Sequence, residues 1–436
     1  MRVTMGDRFR ATNGSPARRS SFFRPGPRLE LDVRLPVLHF KLGQYPLHHA
    51  SVGLIRSFGR LGVPVTSIAE DRFAPVALSR YLKRRVDWIP DAFTDPDEIR
   101  RGLIEIGKQM GAKPLIVCTD DEAAIFIAEE ADCLREFFTL GDVPPELPRL
   151  VASKHGLQGL CLRHEIPTPR TTFPSTLAEL EKALAESHLP VVVKNVDAWE
   201  RKTRPTVMES TVVHQPDELM QRAAGWQEPF GCLVQEYLPP EHSEDWIVQG
   251  YCGSETQLAM TARKLWAWPP FTGQTAYAQL QDNPDLSKRA LAFCEQIGYR
   301  GIFDLDFRVD CRDGVPYLLD FNPRIGAPFR LFQTDAGVDV ARAMHLDLSG
   351  RAIPPGRQRN GDRLVVEPLA FAARSAYRRS TERPTANTTN DGRLRFAWFA
   401  ADDPLPFMVM ALRQLWWSLR LRLPFRHARG IDGKKR

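Results

Sequence analysis

The residues best suited to chemistry lie between positions 301 and 324. In the run GIFDLDFRVD, Asp304 and Asp306 fall on one face of a strand, and Phe303, Leu305, Phe307 and Val309 on the other. In PYLLDFNPR, Asp320 and Asn322 share a face opposite Leu319 and Phe321. Keeping both apolar faces on one side requires an odd-length turn around Asp313-Gly314. A three-residue turn over 312–314 sets Asp306 directly across from Asp320. Carboxylates facing each other repel. A bound cation would give the pair a purpose, because Mg²⁺ takes one or two carboxylates and completes its shell with phosphate oxygens. The plain alternative is a solvated hairpin face.

Two lysines suit a phosphate-bearing ligand. Lys194 ends the apolar run PVVVK, from which a long cation reaches into a cleft. Lys154 falls on an expected helix. Either one alone is otherwise an ordinary surface lysine. The apolar run CLVQEYL is broken by Gln235-Glu236. Polar groups in a buried run need partners, so these two either meet an adenine edge or belong to an edge strand.

The elements that must carry these residues divide the chain in two styles. LPVLHF, VPVTSIAE and PLIVCTD read as buried strands, alternating with helices at ASVGLIRSFGRLG and around Ala124, Ile127 and Ala128. That alternation predicts a parallel, Rossmann-like α/β domain over 31–148. Gly53, Gly59 and Gly62 do not make a dinucleotide fingerprint. GDVPPELP is a linker, and beyond it an α+β region follows. Its expected strands are PVVVKN, STVVHQ, CLVQEYL, DWIVQGYCG and TQLAMTARKL, and its helices LVASKHGLQGLCLRHEI, PDELMQRAAG and DLSKRALAFCEQIG. LVVEPLAF is a further expected strand, and the chain closes on the helix PFMVMALRQLWWSLRLRL.

Composition narrows the class. The 436 residues are 43% hydrophobic and 26% charged, with a net charge of +6. Residues 1–30 carry +5 and 405–436 carry +7, so the remainder sums to −6. An acidic middle between basic ends speaks against a nucleic-acid groove. The arm 1–30 has little to bury and is expected to be disordered, with order beginning near Leu35. Seven scattered cysteines without a C-x-x-C pair suggest reduced thiols, no structural zinc and a cytoplasmic protein. No secretory signal is visible and no apolar run reaches the roughly 18 residues of a spanning helix.

Taken in order, Lys154, Lys194, Gln235-Glu236-Tyr237-Leu238, Asp306 and Asp320-Phe321-Asn322-Pro323-Arg324 resemble the ATP-grasp superfamily, over about residues 31–350. The nearest variety is the bacterial carboxylate–amine ligases of D-aspartate-ligase type, whose pre-ATP-grasp domain LIRSFGRLGVPV and Ser79-Arg80-Tyr81 resemble. The resemblance implies a pre-ATP-grasp domain (31–148), a lid lobe (149–230), a palm lobe (231–350) and a C-terminal extension (351–436). It implies ATP and Mg²⁺, with Lys154 and Lys194 on the phosphates and Gln235 to Leu238 at the adenine. Glu244 would take the ribose, with Glu241 and Asp245 as rivals. Asp306, Asp320 and Asn322 would hold Mg²⁺. Arg324 would stabilise the acyl phosphate and the oxyanion, and Arg263 and Lys264 would serve the γ-phosphate or substrate. The implied partners are a small carboxylate and an amine, amino acids being the obvious class. A homodimer fits as well as a monomer does. A thiol or hydroxyl acceptor, phosphotransfer, or a non-catalytic nucleotide-binding regulator are the alternatives.

The chain departs from the family where Asp306 and Asp320 stand for the commoner Glu, and where Ser153 precedes Lys154 in place of Asp. The phosphate-covering stretch DAWERKTRPT lacks glycine, so Trp199, Arg201, Lys202 and Arg204 would cover phosphates with side chains. In the last helix, Met408, Leu412, Leu415, Leu419 and Leu423 recur at helical spacing beside Trp416-Trp417. This stripe is expected to pack on the enzyme. The alternative is contact with an anionic membrane surface.

Overall fold

Val37, Leu38 and Phe40 are completely buried, and their strand is one of the two inner members of a four-stranded sheet in the computed structural model. The structure describes residues 29–422, apart from 89, 92, 197–209 and 380–391, and of 419–422 the backbone alone. Val37–Phe40 pairs in parallel with Val65–Ile68 on one side and Leu115–Cys118 on the other, and Arg84–Val86 completes one edge. His49–Gly59 is the expected helix. Pro96–Met110 goes beyond the sequence expectations, although its signals are clear: Asp95 caps the Asp97 amide, and Gly111 ends the helix in the left-handed region.

A second sheet of four antiparallel strands runs in the order Thr171–Thr172, Cys232–Glu236, Val191–Asn195, Thr211–Val213. A third has seven strands: Pro316–Asn322, Gly301–Asp310, Ser243–Cys252, Gln257–Trp268, Gln274–Leu280, Arg363–Val365 and Leu394–Phe396. Its pairs are antiparallel except the last. One core cluster joins the first helix to the large sheet through Val52, Ile55, Ile247, Ile302 and Phe329.

Three expectations change. The helix expected over 150–166 is two, Leu147–Ala152 and Lys154–Arg163, because Ser153 is extended between them. LVVEPLAF is strand only to Val365, and Glu367–Arg379 is helical. Pro368 suits the first turn of that helix, and the Glu367 carboxylate accepts the amides of Trp398 and Phe399. Order also begins earlier than Leu35, since Leu31 is buried and Leu29 packs against the core.

The C-terminal helix Leu405–Arg422 contradicts its expected orientation. It docks through Phe407 and Met410, and Arg413 bonds Asp71 at 2.8 Å. Met408, Leu412 and Leu415 are 53%, 64% and 58% exposed. The helix is apolar on both sides, and periodicity alone could not say which side would be covered. Just upstream, buried Arg56 bonds Asp403 at 2.9 Å, Ser79 reaches the same carboxylate at 2.7 Å, and Tyr81 reaches Asp402 at 2.7 Å. The residues that suggested a pre-ATP-grasp domain thus hold the chain's last described segment.

Candidate active site

The acidic hairpin has the expected register where it matters. Asp306 pairs with Asp320, Leu305 with Phe321 and Asp304 with Asn322. The turn does not have the expected three residues. Asp310 N–H bonds Val315 O at 3.0 Å and Gly314 N–H bonds Asp310 O at 2.8 Å, leaving 311–314 as a four-residue turn with Gly314 at φ 75°. An even turn would flip one strand's faces. A bulge restores them: Phe307 pairs with Leu318, so Leu319 is the extra residue. Leu318 is therefore the one that enters the core, at 1% exposure.

Cations converge on the carboxylates. Lys154 forms an ion pair with Asp320, and its backbone amide bonds Val196 O at 3.3 Å, two residues past Lys194. The break at Ser153 makes this possible, because it starts a new helix at Lys154 beside the small sheet. Lys264 Nζ stands 3.9 Å from Asp306 on the large sheet. Lys194 Nζ donates to Gln235 Oε1 at 3.1 Å, and Gln235 Nε2 donates to Thr171 at 3.0 Å. Gln235 is thus bonded within its own sheet. The Glu236 carboxylate accepts the Arg170 amide at 3.2 Å, and the Glu236 amide bonds Arg170 O at 2.8 Å. Tyr237 and Leu238 follow as the backbone crossing between the two sheets.

Beyond that crossing a small cavity is lined by Ser243, Glu244, Arg263, Lys264, Ala267 and Phe271, among others. Arg263 Nη1 bonds Glu244 at 2.9 Å, and Trp246 Nε1 donates to the same carboxylate at 3.2 Å. The rival Asp245 is committed elsewhere. Arg308 grips it with bonds of 2.7 and 3.0 Å and also bonds Leu238 O at 3.0 Å. Despite burial, that guanidinium holds the Asp245 carboxyl below its ordinary range. Glu241 is exposed.

Arg324 lies where the hairpin meets the parallel sheet. Its Nη1 is 3.3 Å from Asp304, its Nη2 donates to Asn322 Oδ1 at 3.0 Å, and its Nε is 3.2 Å from Asp121 Oδ1. Asp304 is 6% exposed, and burial pushes its carboxyl up to about 7 against the pull of Arg324. Gln249 sits opposite it on the neighbouring strand. A Cβ at Gly326 would come 2.2 Å from Gln249 Nε2 and 2.4 Å from Asp304 Cγ, so only glycine lets the chain pass there.

The Asp121 side of this junction is the sheet's switch point. The strand Val37–Phe40 has its sequence successor on one side and Leu115–Cys118 on the other. The chain leaves these two strands in opposite directions, which opens a crevice at their carboxyl ends. There Asp120 accepts the Leu42 amide at 2.9 Å and the Tyr45 hydroxyl at 3.2 Å, and Lys41 is ion-paired with Glu70. Buried His39 bonds Ser67 at 2.8 Å and Thr119 at 2.9 Å, and desolvation holds it down at about 3, hence neutral. Asp304, Gln249, Gly326 and Asp121 were not among the expected site residues. Asp304 was within reach, since the same register that pairs 306 with 320 pairs it with Asn322. Trp199, Arg201, Lys202 and Arg204 lie outside the described residues.

Among the described residues no group of three or more His, Cys, Asp or Glu converges on a metal-sized site. Asp306 and Asp320 nevertheless suit Mg²⁺. They face each other, their side chains are 30% and 36% exposed, and each has a lysine for counter-charge. An all-oxygen pair that leaves room for phosphate is the donor set this ion takes. Asn322 flanks them, its amide nitrogen donating to Asp304 O at 3.1 Å.

No family model matches the chain. Over 316 residues, 66% of this chain and 72% of the relative, it is 24% identical to a D-aspartate ligase of Enterococcus faecium (strain Aus0004). In shape it is similar to an N5-carboxyaminoimidazole ribonucleotide synthetase solved with ADP, at a TM-score of 0.56 and 13% identity over 75% of this chain and 80% of that one. An L-amino acid ligase from Bacillus licheniformis gives a TM-score of 0.54 and 16% identity over 72% and 74%.

Proposed function

We propose that this chain, which has the ATP-grasp fold, is an ADP-forming ligase that joins a carboxylate to an amine through an acyl phosphate. One observation carries the reading: Asp306 and Asp320 face each other with Lys154 and Lys264 against them, while Arg324 occupies the end of the same hairpin. A 24% identical D-aspartate ligase supports amino acids as the substrate class. We read 31–148 as the pre-ATP-grasp domain, 149–230 as the lid, 231–350 as the palm and 351–436 as the extension. The parallel sheet lies in the first of these and the central strands of the large sheet in the third, while the small sheet spans the second and takes Cys232–Glu236 from just past its end.

In this reading ATP lies between the small and large sheets. The backbone at Tyr237 and Leu238 meets adenine, Glu244 meets the ribose, and Lys154 and Lys194 hold phosphates. Mg²⁺, when bound, would neutralise charge on the transferring phosphoryl group, with Asp306 and Asp320 as carboxylate ligands and Asn322 beside them. Lys154 and Lys264 hold the two carboxylates apart from each other's charge until then. A substrate carboxylate oxygen attacks the γ-phosphorus, and ADP leaves. An unprotonated amine attacks the acyl carbon, phosphate leaves, and the nitrogen loses one proton. Arg324, fixed by Asp121, Asp304 and Asn322, presents its guanidinium to the oxyanion of that second step without having to reorganise. Arg263 and Lys264 complete the positive wall. Seven unpaired cysteines fit a cytoplasmic setting.

The test is ADP release from Mg-ATP, screened over amino acids singly and in pairs, with the product identified by mass. Release that depends on a carboxylate and an amine, with an amide formed, is the expected result. Steady ADP release that no amine affects and that yields no amide would overturn the ligase assignment.

A further inference from the structure

We infer that the helix Leu405–Arg422 seats this protein on an anionic lipid surface. The inference is independent of the ligase reading. Leu405, Met408, Leu412 and Leu415 follow each other at steps of three and four residues, which places them along one side of the helix. They are 51%, 53%, 64% and 58% exposed. The opposite side is already occupied, since Met410 lies in the core, Phe407 packs against it and Arg413 is held by Asp71. A contiguous exposed apolar row on a docked helix has no structural purpose within the chain and marks an interaction surface. Trp416, 49% exposed and four residues after Leu412, supplies the kind of ring that rests at headgroup depth. Phe73, 55% exposed, is two residues from the aspartate that anchors the helix.

Charge selects the partner. Residues 405–436 contain eight Lys or Arg and one acidic residue, Asp432, for a net +7. Two copies meeting here would bring two segments of like positive charge together, even with Arg413 of each paired to Asp71, whereas an anionic bilayer attracts each basic residue that comes near it. The helix lies on such a surface and does not cross it. Among the described residues no helix is long and apolar enough to span a membrane.

Co-sedimentation of the full chain with phosphatidylglycerol/phosphatidylcholine vesicles, and with phosphatidylcholine vesicles alone, tests this. Binding to the anionic vesicles should exceed binding to the neutral ones by about tenfold or more and should weaken with salt. A Leu412→Glu, Leu415→Glu double variant should lose at least about tenfold in vesicle affinity. Both side chains are exposed, so its thermal stability and ATP turnover should match the wild type. Reversing the tail with Lys434→Glu, Lys435→Glu and Arg436→Glu should reduce the anionic preference without touching the helix. Failure to bind vesicles, equal binding to both compositions, or wild-type binding by the Leu variant would each overturn the proposal. A chain that is dimeric without lipid and becomes monomeric in the Leu variant would overturn it in favour of a second copy.

Discussion

Arg324 Nε lies 3.2 Å from Asp121 Oδ1, so the cation at the end of the acidic hairpin is ion-paired with the first residue of the helix Asp121–Glu129, which follows the parallel strand Leu115–Cys118. The ion pair joins the large sheet to the helix that follows the parallel sheet. The first turn of that helix thus helps to aim the guanidinium.

Asp121→Asn should therefore lower kcat by about tenfold to a hundredfold, a smaller loss than the two to three orders expected when a stabilising donor itself is removed. Nucleotide affinity should hold, because Asp121 is remote from Lys154 and Lys194 in the proposed arrangement. Arg324→Lys should cost more than Asp121→Asn, since an ammonium cannot hold Asp304, Asn322 and Asp121 at once. Separate kcat and KM values for ATP check this. An Asp121→Asn enzyme with normal kcat would show that Arg324 needs no anchor.

Asp320→Asn separates a metal ligand from a surface charge. The sequence suggests bare repulsion between Asp306 and Asp320, which asparagine would relieve. The structure supplies Lys154 and Lys264 as counter-ions, so the relief and the lost ion pair nearly cancel. Stability without nucleotide should stay within about 0.5 kcal/mol of wild type. Turnover should fall by orders of magnitude, and the thermal shift on adding Mg-ATP should shrink. An active variant that Mg-ATP stabilises as well as wild type would remove the metal assignment.

That pair also shows how far the sequence could be read. Strand parity fixed which faces Asp306 and Asp320 share, because side chains alternate strictly along a strand. It could not choose between a three-residue turn and a four-residue turn with a bulge at Leu319, since both satisfy the same parity. Lys154 and Lys194 were legible as candidates, while their closeness depends on the extended Ser153, which has no strong local signal. Asp121 and Gly326 were not legible. Their roles come from contacts between distant segments, and neither interrupts a periodic pattern. The C-terminal helix failed for a related reason: both its faces are apolar, and tertiary packing decided between them.

Lys154 and Lys194 should act jointly on nucleotide. Lys154 N–H bonds Val196 O, so the two side chains rise from neighbouring backbone, and in the proposed arrangement they would meet one ligand. Each single alanine variant should weaken ATP binding, and the double variant should lose more than either alone. Calorimetric titration with the thermal transition of each variant checks this. Unchanged affinity in a folded double variant would place the phosphates elsewhere.

The basic arm should be separable at a defined point. Leu29 packs on the core and Leu31 is 5% exposed, so a chain shortened to begin at Leu29 should keep its stability and turnover. A chain beginning at Leu35 loses a buried leucine and should fall by about 2 kcal/mol or more. Urea unfolding of the two shortened chains distinguishes them. Loss of turnover in the Leu29 chain with its fold intact would show that the arm acts on the site.

Asp304 should leave a pH signature in stability. Burial raises its folded value from 3.8 to about 7, although Arg324 pulls the other way. In the unfolded chain the group is ionised above about pH 4. Between about pH 4 and 7 the folded chain keeps a proton that the unfolded chain has released, so stability falls as pH rises through that window. Below it the contribution is fully present, and above about pH 7 it is lost. Asp304→Asn cannot ionise and keeps the shape of the protonated acid. Its melting temperature relative to wild type should therefore climb from pH 4 to pH 7 and level off beyond. A difference that stays constant across the window would mean that Arg324 keeps Asp304 ionised throughout, and that the junction is a plain ion pair.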